Sequence, residues 1–358
     1  MKAPFDPLEN CRRCFEAYEE AKSISNKNDK NYESVLEVLT SEGFSPGRAV
    51  LRHIKPDLED VVERLRILKV PILENVKLII DSSEREVRGF ELEHPDWVRG
   101  VSFSPDGKYL ATGCGRKVRI LEVDYNKKEL TELIELKHPY GVYGVSFSSD
   151  GRYLATGGGD RKARILEVDY KNNSLTKLIE LEHPDWGLGV SFSPDGRYLA
   201  TGCDDRKARI LEVDYKKKKL RKLMGLKHPD WVWGVSFSPD GQYLATGGGD
   251  RKARILEVDY KKKALTELIE LKHPKWVWGV SFSPDGRYLA TGGGDNKARI
   301  LEVDYKKKSL TELVNFEHHG SVYGVSFSPD GQYLATGCDN KARVILLPEE
   351  ILQEMKAR

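Results

Sequence analysis

Cysteine is scarce in this chain: five among 358 residues, at Cys11, Cys14, Cys114, Cys203 and Cys338. An odd, scattered set does not make a disulfide framework and suits a reducing compartment, so a cytoplasmic protein is expected. Long apolar runs are missing too. Nothing approaches the roughly 18–20 residues that a membrane-spanning helix needs. The opening "MKAPFDPLENCRRCFEAYEE" has no apolar stretch of the kind a secretory signal carries. No membrane partner is expected. Neither sign of charge dominates: 58 Lys and Arg against 56 Asp and Glu leave a net +2, too even to demand nucleic acid. Catalytic signatures such as HExxH and GxSxG are absent. The glycine-rich "TGGGDRKAR" leads into a strand and not a helix N-terminus, so it is no phosphate cradle, and no cofactor is expected. Cys11 and Cys14 form half a zinc site at most, because structural zinc takes four ligands and no second CxxC exists; no metal is expected.

What the chain has in abundance is itself. Aligning "VSFSPDG" places its first residue at Val101, Val145 (as "VSFSSDG"), Val190, Val235, Val280 and Val325, one step of 44 residues and four of 45. A strand-rich period of this length marks a propeller or similar array, in which each unit buries its faces on its neighbours. Each unit reads as four strands. "WVWGVSFS" is apolar and β-branched and stops at the tight-turn tripeptide "PDG". "QYLATG" follows and breaks at "GGGD". "KARILEVD" runs to a lysine-rich turn. "LTELIEL" alternates polar and apolar residues, as an outer strand with one wetted side should.

Ordered in this way, the unit resembles a WD40 repeat over about 260 of the 358 residues. "KHP" or "EHP" stands at that family's Gly-His, "LATGGGD" matches its next block, and "RILEVD" ends where its Trp-Asp would close. Leu121, Leu166, Leu211, Leu256, Leu301 and Ile345 replace that tryptophan. The resemblance implies an all-β propeller with a buried His–Ser/Thr–Asp hydrogen-bond network in each blade. The matching residues are His138, Thr156 and Asp160; His183, Thr201 and Asp205; His228, Thr246 and Asp250; and His273, Thr291 and Asp295. The first copy lacks the aspartate through a deletion at "GCGRK". Without an indole at its end the network should be a truncated triad, completed by water or a backbone group. Six of the eight histidines occupy this one recurring position, which points to structure and not catalysis.

A propeller must join its last blade to its first or leave strand edges bare. The sixth copy stops after three strands at "KARVILLPEE", and residues 87–93 read as the missing fourth. Six four-stranded blades over residues 74–348 are therefore expected. Seven is the alternative, because residues 76–81 and "GFSPGRAVL" (43–51) faintly echo the repeat. Residues 1–73 read as three or four short helices and residues 349–358 as a C-terminal helix.

Differences between copies point to function. In "HP-x-W-V-x-G-V" the residue before Gly is Arg99, Tyr143, Leu188, Trp233, Trp278 or Tyr323. The indole position holds Trp97, Gly141, Trp186, Trp231, Trp276 or Ser321. All six tryptophans fall here, at what the resemblance makes the top rim of the central channel, where WD40 partners usually dock. Large rigid aromatics with one arginine are the composition of an interface hot spot, although the indoles at 97, 186, 231 and 276 would serve equally to pack between blades. A second candidate is charge: Lys216, Lys217, Lys218, Lys219, Arg221 and Lys222 form the densest of five lysine-rich turns on the opposite face. The expectation is a non-catalytic scaffold binding a protein through its aromatic rim. The alternative is an RNA- or ribonucleoprotein-associated factor using the lysine turns. Oligomeric state and partner identity are not written in the sequence.

Overall fold

The computed structural model describes residues 89–186 and 189–356. The chain divides into two units, Met1–Asp81 and Ser82–Arg358, and the architecture below belongs to the second. The helices expected over residues 1–73, the Cys11–Cys14 pair, the stretches 43–51 and 76–81, and Leu188 lie outside the described residues.

Each copy folds as its turn chemistry dictates. In the first, β1 (Gly89–Glu93) precedes β2 (Val98–Phe103), β3 (Tyr109–Cys114), β4 (Lys117–Asp124) and β5 (Glu129–Lys137). The β2–β3 turn is tied by Ser104 Oγ donating to Asp106 Oδ1 at 2.6 Å, and that oxygen also accepts the Lys108 N–H at 3.1 Å. Gly107 adopts a φ of +71° there, a conformation that favours glycine. At the β4–β5 turn Asp124 Oδ1 accepts the N–H groups of Asn126 and Lys127 at 3.0 and 2.9 Å. The same pattern repeats in β6–β9 (142–182), β10–β13 (189–227), β14–β17 (232–272), β18–β21 (277–317) and β22–β24 (322–346).

These strands form six antiparallel four-stranded sheets. Five run in chain order. The sixth reads β1-β24-β23-β22, with Phe90 opposite Val344 and Leu92 opposite Ala342. The inferred closing strand is therefore present, and no seventh blade intervenes: a Cβ placed on Gly324 of β22 would stand 3.0 Å from the Arg99 carbonyl oxygen of β2. One interblade hydrogen bond recurs at every seam. Ser102 Oγ accepts the Phe147 N–H at 3.1 Å, and so on around the ring until Ser326 Oγ accepts the Phe103 N–H at 3.2 Å.

The core lies between blades. Ala111, Val118, Ile120 and Ile134 of the first blade pack on Val142, Val145, Phe147 and Leu154 of the second, and five equivalent clusters complete the circle. Leu121, Leu166, Leu211, Leu256, Leu301 and Ile345, which stand where the family's tryptophan would, are at most 2% exposed. They supply the apolar volume of an indole position without its N–H. The helix α1 (Glu349–Lys356) follows β24, and its Ile351 joins the cluster between the fifth and sixth blades.

The polar network departs from expectation. His228 Nε2 meets Thr246 Oγ1 at 3.0 Å and His273 Nε2 meets Thr291 Oγ1 at 3.0 Å. The same pair forms in the first and last copies through His94–Thr112 and His318–Thr336. In these four copies the imidazole Nδ1 faces the carbonyl two residues back, as His94 does Leu92 at 3.2 Å. Donation from Nδ1 makes Nε2 the acceptor and the threonine hydroxyl the donor. In the second and third copies His138 Nε2, Thr156 Oγ1, His183 Nε2 and Thr201 Oγ1 are buried without a hydrogen-bond partner among the described residues. None of the four aspartates hydrogen-bonds its histidine. Asp160, Asp205, Asp250 and Asp295 each pair in a two-point contact with the arginine four residues on, Arg164, Arg209, Arg254 and Arg299. A fixed guanidinium fork, charged and buried, outcompetes a neutral imidazole for a carboxylate. Burial would raise the Asp160 carboxyl, but Arg164 outweighs it and holds the group below its usual range. In the first copy, which lacks the aspartate, Arg119 turns to Glu135 at 2.7 Å.

Two outcomes follow from this packing. At the closing seam a Cβ on Gly337 would lie 2.6 Å from the Val98 carbonyl oxygen. Gly337→Ala should therefore cost about 1–3 kcal/mol and lower the calorimetric Tm by roughly 2–10 °C; an unchanged Tm would show that the seam can widen freely. The second concerns acid. Burial, aided by nearby arginines, drives the imidazoles of His94, His138, His183, His228 and His318 down to about 4. Unfolded histidine titrates near 6.5, so the unfolded chain binds more protons between pH 6.5 and 4 and stability rises with pH across that window. The contribution is complete above about pH 6.5 and is lost as pH falls toward 4. Calorimetric Tm should drop through that window, with an uptake approaching about five protons on unfolding near its middle. A flat profile would mean that these imidazoles charge within the fold.

Candidate functional site

The rim residues are aimed by a register fault. On the innermost strand pair of the first blade, Val98 faces Cys114 and Gly100 faces Gly113, so Arg99 is an extra residue in the ladder. The same skip leaves out Tyr143, Trp233, Trp278 and Tyr323. A bulge turns its extra side chain away from the pleat and releases it from pairing constraints. That is why this position differs from copy to copy while the glycine after it stays fixed and the valine before it changes only in the third copy, to Gly187. The five side chains, with Trp97, Trp186, Gly189, Asp204 and Trp231, surround a cavity of about 420 Å³ at one mouth of the channel.

Their rings form a nearly continuous belt. Trp233 stacks on Trp278 with centroids 4.0 Å apart and planes at 21°. Trp278 meets Tyr323 at 5.3 Å, and Tyr323 stacks on Trp97 at 5.9 Å. The Arg99 guanidinium then lies 5.4 Å from the Trp97 ring and 4.8 Å from the Tyr143 ring, within cation–π range of both. Trp231 and Trp276 brace the stack from outside, each 5.6 Å from its neighbour Trp233 or Trp278; Trp276 does not line the cavity itself. The four outer indoles do not pack between blades: Trp97, Trp186, Trp231 and Trp276 are 46–60% exposed. Tyr140, where the second copy replaces Asp-Trp with Tyr-Gly, is 61% exposed and adds a fifth exposed blade-top aromatic that the sequence reading passed over.

One charged member was also missed. Asp204 lies half-buried in the cavity wall and its Oδ1 accepts the Trp233 indole N–H at 2.9 Å. Burial raises its carboxyl above the usual range, and Asp185, Asp205 and Asp230 raise it further despite the indole donor. The signal was available: the third copy reads "TGCDD" where the second, fourth and fifth read "TGGGD".

The other mouth is lined by Phe103, Ser104 and Pro105 and their counterparts around a cavity of about 300 Å³. The lysine turns sit on this side, tied to it by bonds such as Tyr125 Oη donating to the Gly107 carbonyl at 3.0 Å. Lys216, Lys217, Lys218, Lys219, Arg221 and Lys222 are all exposed. Their field is blunted by acids beside them: Arg221 pairs with Glu212, and Lys127, Lys217, Lys262 and Lys307 each pair with the aspartate three residues earlier, at 3.3–3.8 Å. Among the described residues no group of His, Cys, Asp and Glu could hold a metal, and no helix is long and apolar enough to cross a membrane. Cys203 and Cys338 are buried with thiols pushed up to about 11, which leaves no reactive thiolate at either.

Comparison with known proteins agrees with this architecture. A stretch of 37 residues is 57% identical to the general transcriptional corepressor tupA of Dictyostelium discoideum, covering 10% of this chain and 6% of that protein. The chain thus spans only a small fraction of that relative's length. The solved structure of U3-55K superposes with a TM-score of 0.54 over 73% of this chain and 98% of that one, at 16% identity, a likeness of fold alone. The family model for the WD domain, G-beta repeat, matches six times, at residues 87–121, 130–166, 177–211, 219–256, 265–301 and 310–345. With six matches laid over six blades, the chain belongs to the WD-domain, G-beta repeat family.

Proposed function

We propose that this propeller is a non-catalytic scaffold that binds another protein through its aromatic rim. The observation that carries the reading is the belt itself. Every tryptophan of the chain stands at one mouth of one channel, five inner rim positions are bulged residues that the ladder does not constrain, and four indoles are about half exposed. A fold that needed those rings for stability would bury them. Tryptophan, tyrosine and arginine are the side chains that dominate protein–protein hot spots, where they offer large rigid areas at low entropic cost. Repetition argues in the same direction, because catalysis needs one differentiated set of acid, base and nucleophile, and the rim offers aromatic area with two unlike charges.

The test is affinity capture from native lysate, with and without nuclease, by the full chain and by a Trp233→Ala/Trp278→Ala variant, followed by titration of the captured protein. Hot-spot truncations cost about 2 kcal/mol or more each, so the double variant should weaken binding by about a hundredfold or more while a captured protein survives nuclease. Capture that vanishes with nuclease, persists in the variant and falls steeply with salt would overturn the rim reading and move the contact to the lysine turns.

A further inference from the structure

The rim reading can be taken one step further, to the chemistry that the partner presents, and the step rests on that reading. The repeats serve as their own control. At the position of Asp204 the second, fourth and fifth copies carry Gly159, Gly249 and Gly294, and those copies keep the same turn and the same Asp–Arg pair beyond it. The fold does not need a carboxylate there. Nor does an indole need it: Trp278 holds the same bulged place as Trp233, its Nε1 lies beside Gly294 of its own blade, and that nitrogen is buried without an acceptor among the described residues. The sixth copy also carries an aspartate after its cysteine, Asp339, in a turn one residue shorter, but Asp339 does not line the cavity; Asp204 is the carboxylate that reaches this sector of it.

That carboxylate is electrostatically incomplete. One oxygen of Asp204 takes the Trp233 N–H. Among the described residues no cation pairs with Asp204 or with its neighbours Asp185 and Asp230, whereas Asp205 is answered by Arg209. A half-buried carboxylate among like charges is costly unless a cation meets it. The walls around it are the indoles of Trp186, Trp231 and Trp233, whose faces attract cations. On the opposite blade the molecule already shows the arrangement with its own side chain, since the Arg99 guanidinium lies over two aromatic rings. A planar guanidinium suits this sector better than an ammonium, because it stacks on an indole while donating in its plane to a carboxylate.

We propose that the sector formed by Asp204, Trp186, Trp231 and Trp233 receives an arginine side chain of the partner protein, its guanidinium against the indole walls and bonded to Asp204. All six tryptophans lie at this rim, so intrinsic fluorescence reads occupancy directly. The full chain is titrated with blocked glycine–alanine pentapeptides carrying a central arginine, citrulline, lysine or trimethyl-lysine. The arginine peptide should give a saturable change, with a Kd at least tenfold tighter than citrulline, which keeps the shape and loses the charge, and tighter than both lysine forms. Asp204→Gly, which installs the residue that three other copies use, should keep the wild-type Tm and weaken the arginine peptide about tenfold or more. Equal binding of citrulline, tighter binding of either lysine form, no saturable binding at all, or arginine binding untouched in Asp204→Gly would each overturn the proposal. The capture experiment separates this from the broader reading: a protein lost from Trp233→Ala/Trp278→Ala but retained in full by Asp204→Gly leaves the rim as the site and removes the arginine.

Discussion

Everything in this molecule depends on the seam between one blade and the next. A four-stranded sheet of this composition has two apolar faces and no means of covering either alone. The seam covers them with valine, isoleucine and phenylalanine from two neighbours at once, and it is pinned by a serine hydroxyl that accepts a phenylalanine N–H from the next blade. Because the units are nearly identical, one solution to the packing problem serves six times. The final blade is the exception in connectivity, since its outer strand comes from residues 89–93. There Glu91 answers both Lys341 and Arg343 across about 250 residues of chain, so closure carries a charge contact besides the backbone ladder.

The strands and turns were legible because each is written six times in residues with local meaning: β-branched runs, Pro-Asp-Gly turns, and a lysine turn ahead of an alternating outer strand. The closing strand was legible for a different reason, as the piece missing from the sixth copy. The number of blades was less so, because it depends on whether Gly324 meets Arg99 directly, and no local pattern encodes that distance. The aspartate network was misjudged on a matter of competition. His228 and Thr246 do meet, but Asp250 has Arg254 four residues away, itself 2% exposed, and a buried guanidinium commands a carboxylate more strongly than an imidazole whose proton is already given to a carbonyl. The arginine stood in every copy and its pull was not weighed. Asp204 is hard to read from the repeat for a related reason: an exchange of glycine for a carboxylate leaves the length of the turn unchanged.

A repeat protein separates scaffold from function more clearly than a single-copy fold does. Residues shared by all copies hold the ring, as Gly100, Gly234, Gly279 and Gly324 beside the bulges show, where a side chain would strike the next blade's backbone. Residues that differ occupy places the ring leaves free. The bulged position is the plainest of these, because the ladder skips it and packing does not fix its size. A device that relieves strain in the inner strand pair thereby creates a variable ring of side chains around the channel mouth.

Variation is what gives that ring direction. Six equal blades would offer a ligand six equal orientations, and a partner held only by symmetric apolar area would be poorly aligned. Among the residues that line the cavity, charge breaks the equivalence at two places, Arg99 on the first blade and Asp204 between the third and fourth, across the ring from each other. One positive and one partly buried negative group across an aromatic floor define an axis. A reversed ligand would set like charges against each other in a place where water screens them poorly. If the rim is the docking surface proposed above, the aromatic belt would supply area and the two odd residues sense, and its specificity would reside in the few positions where the repeat fails to repeat.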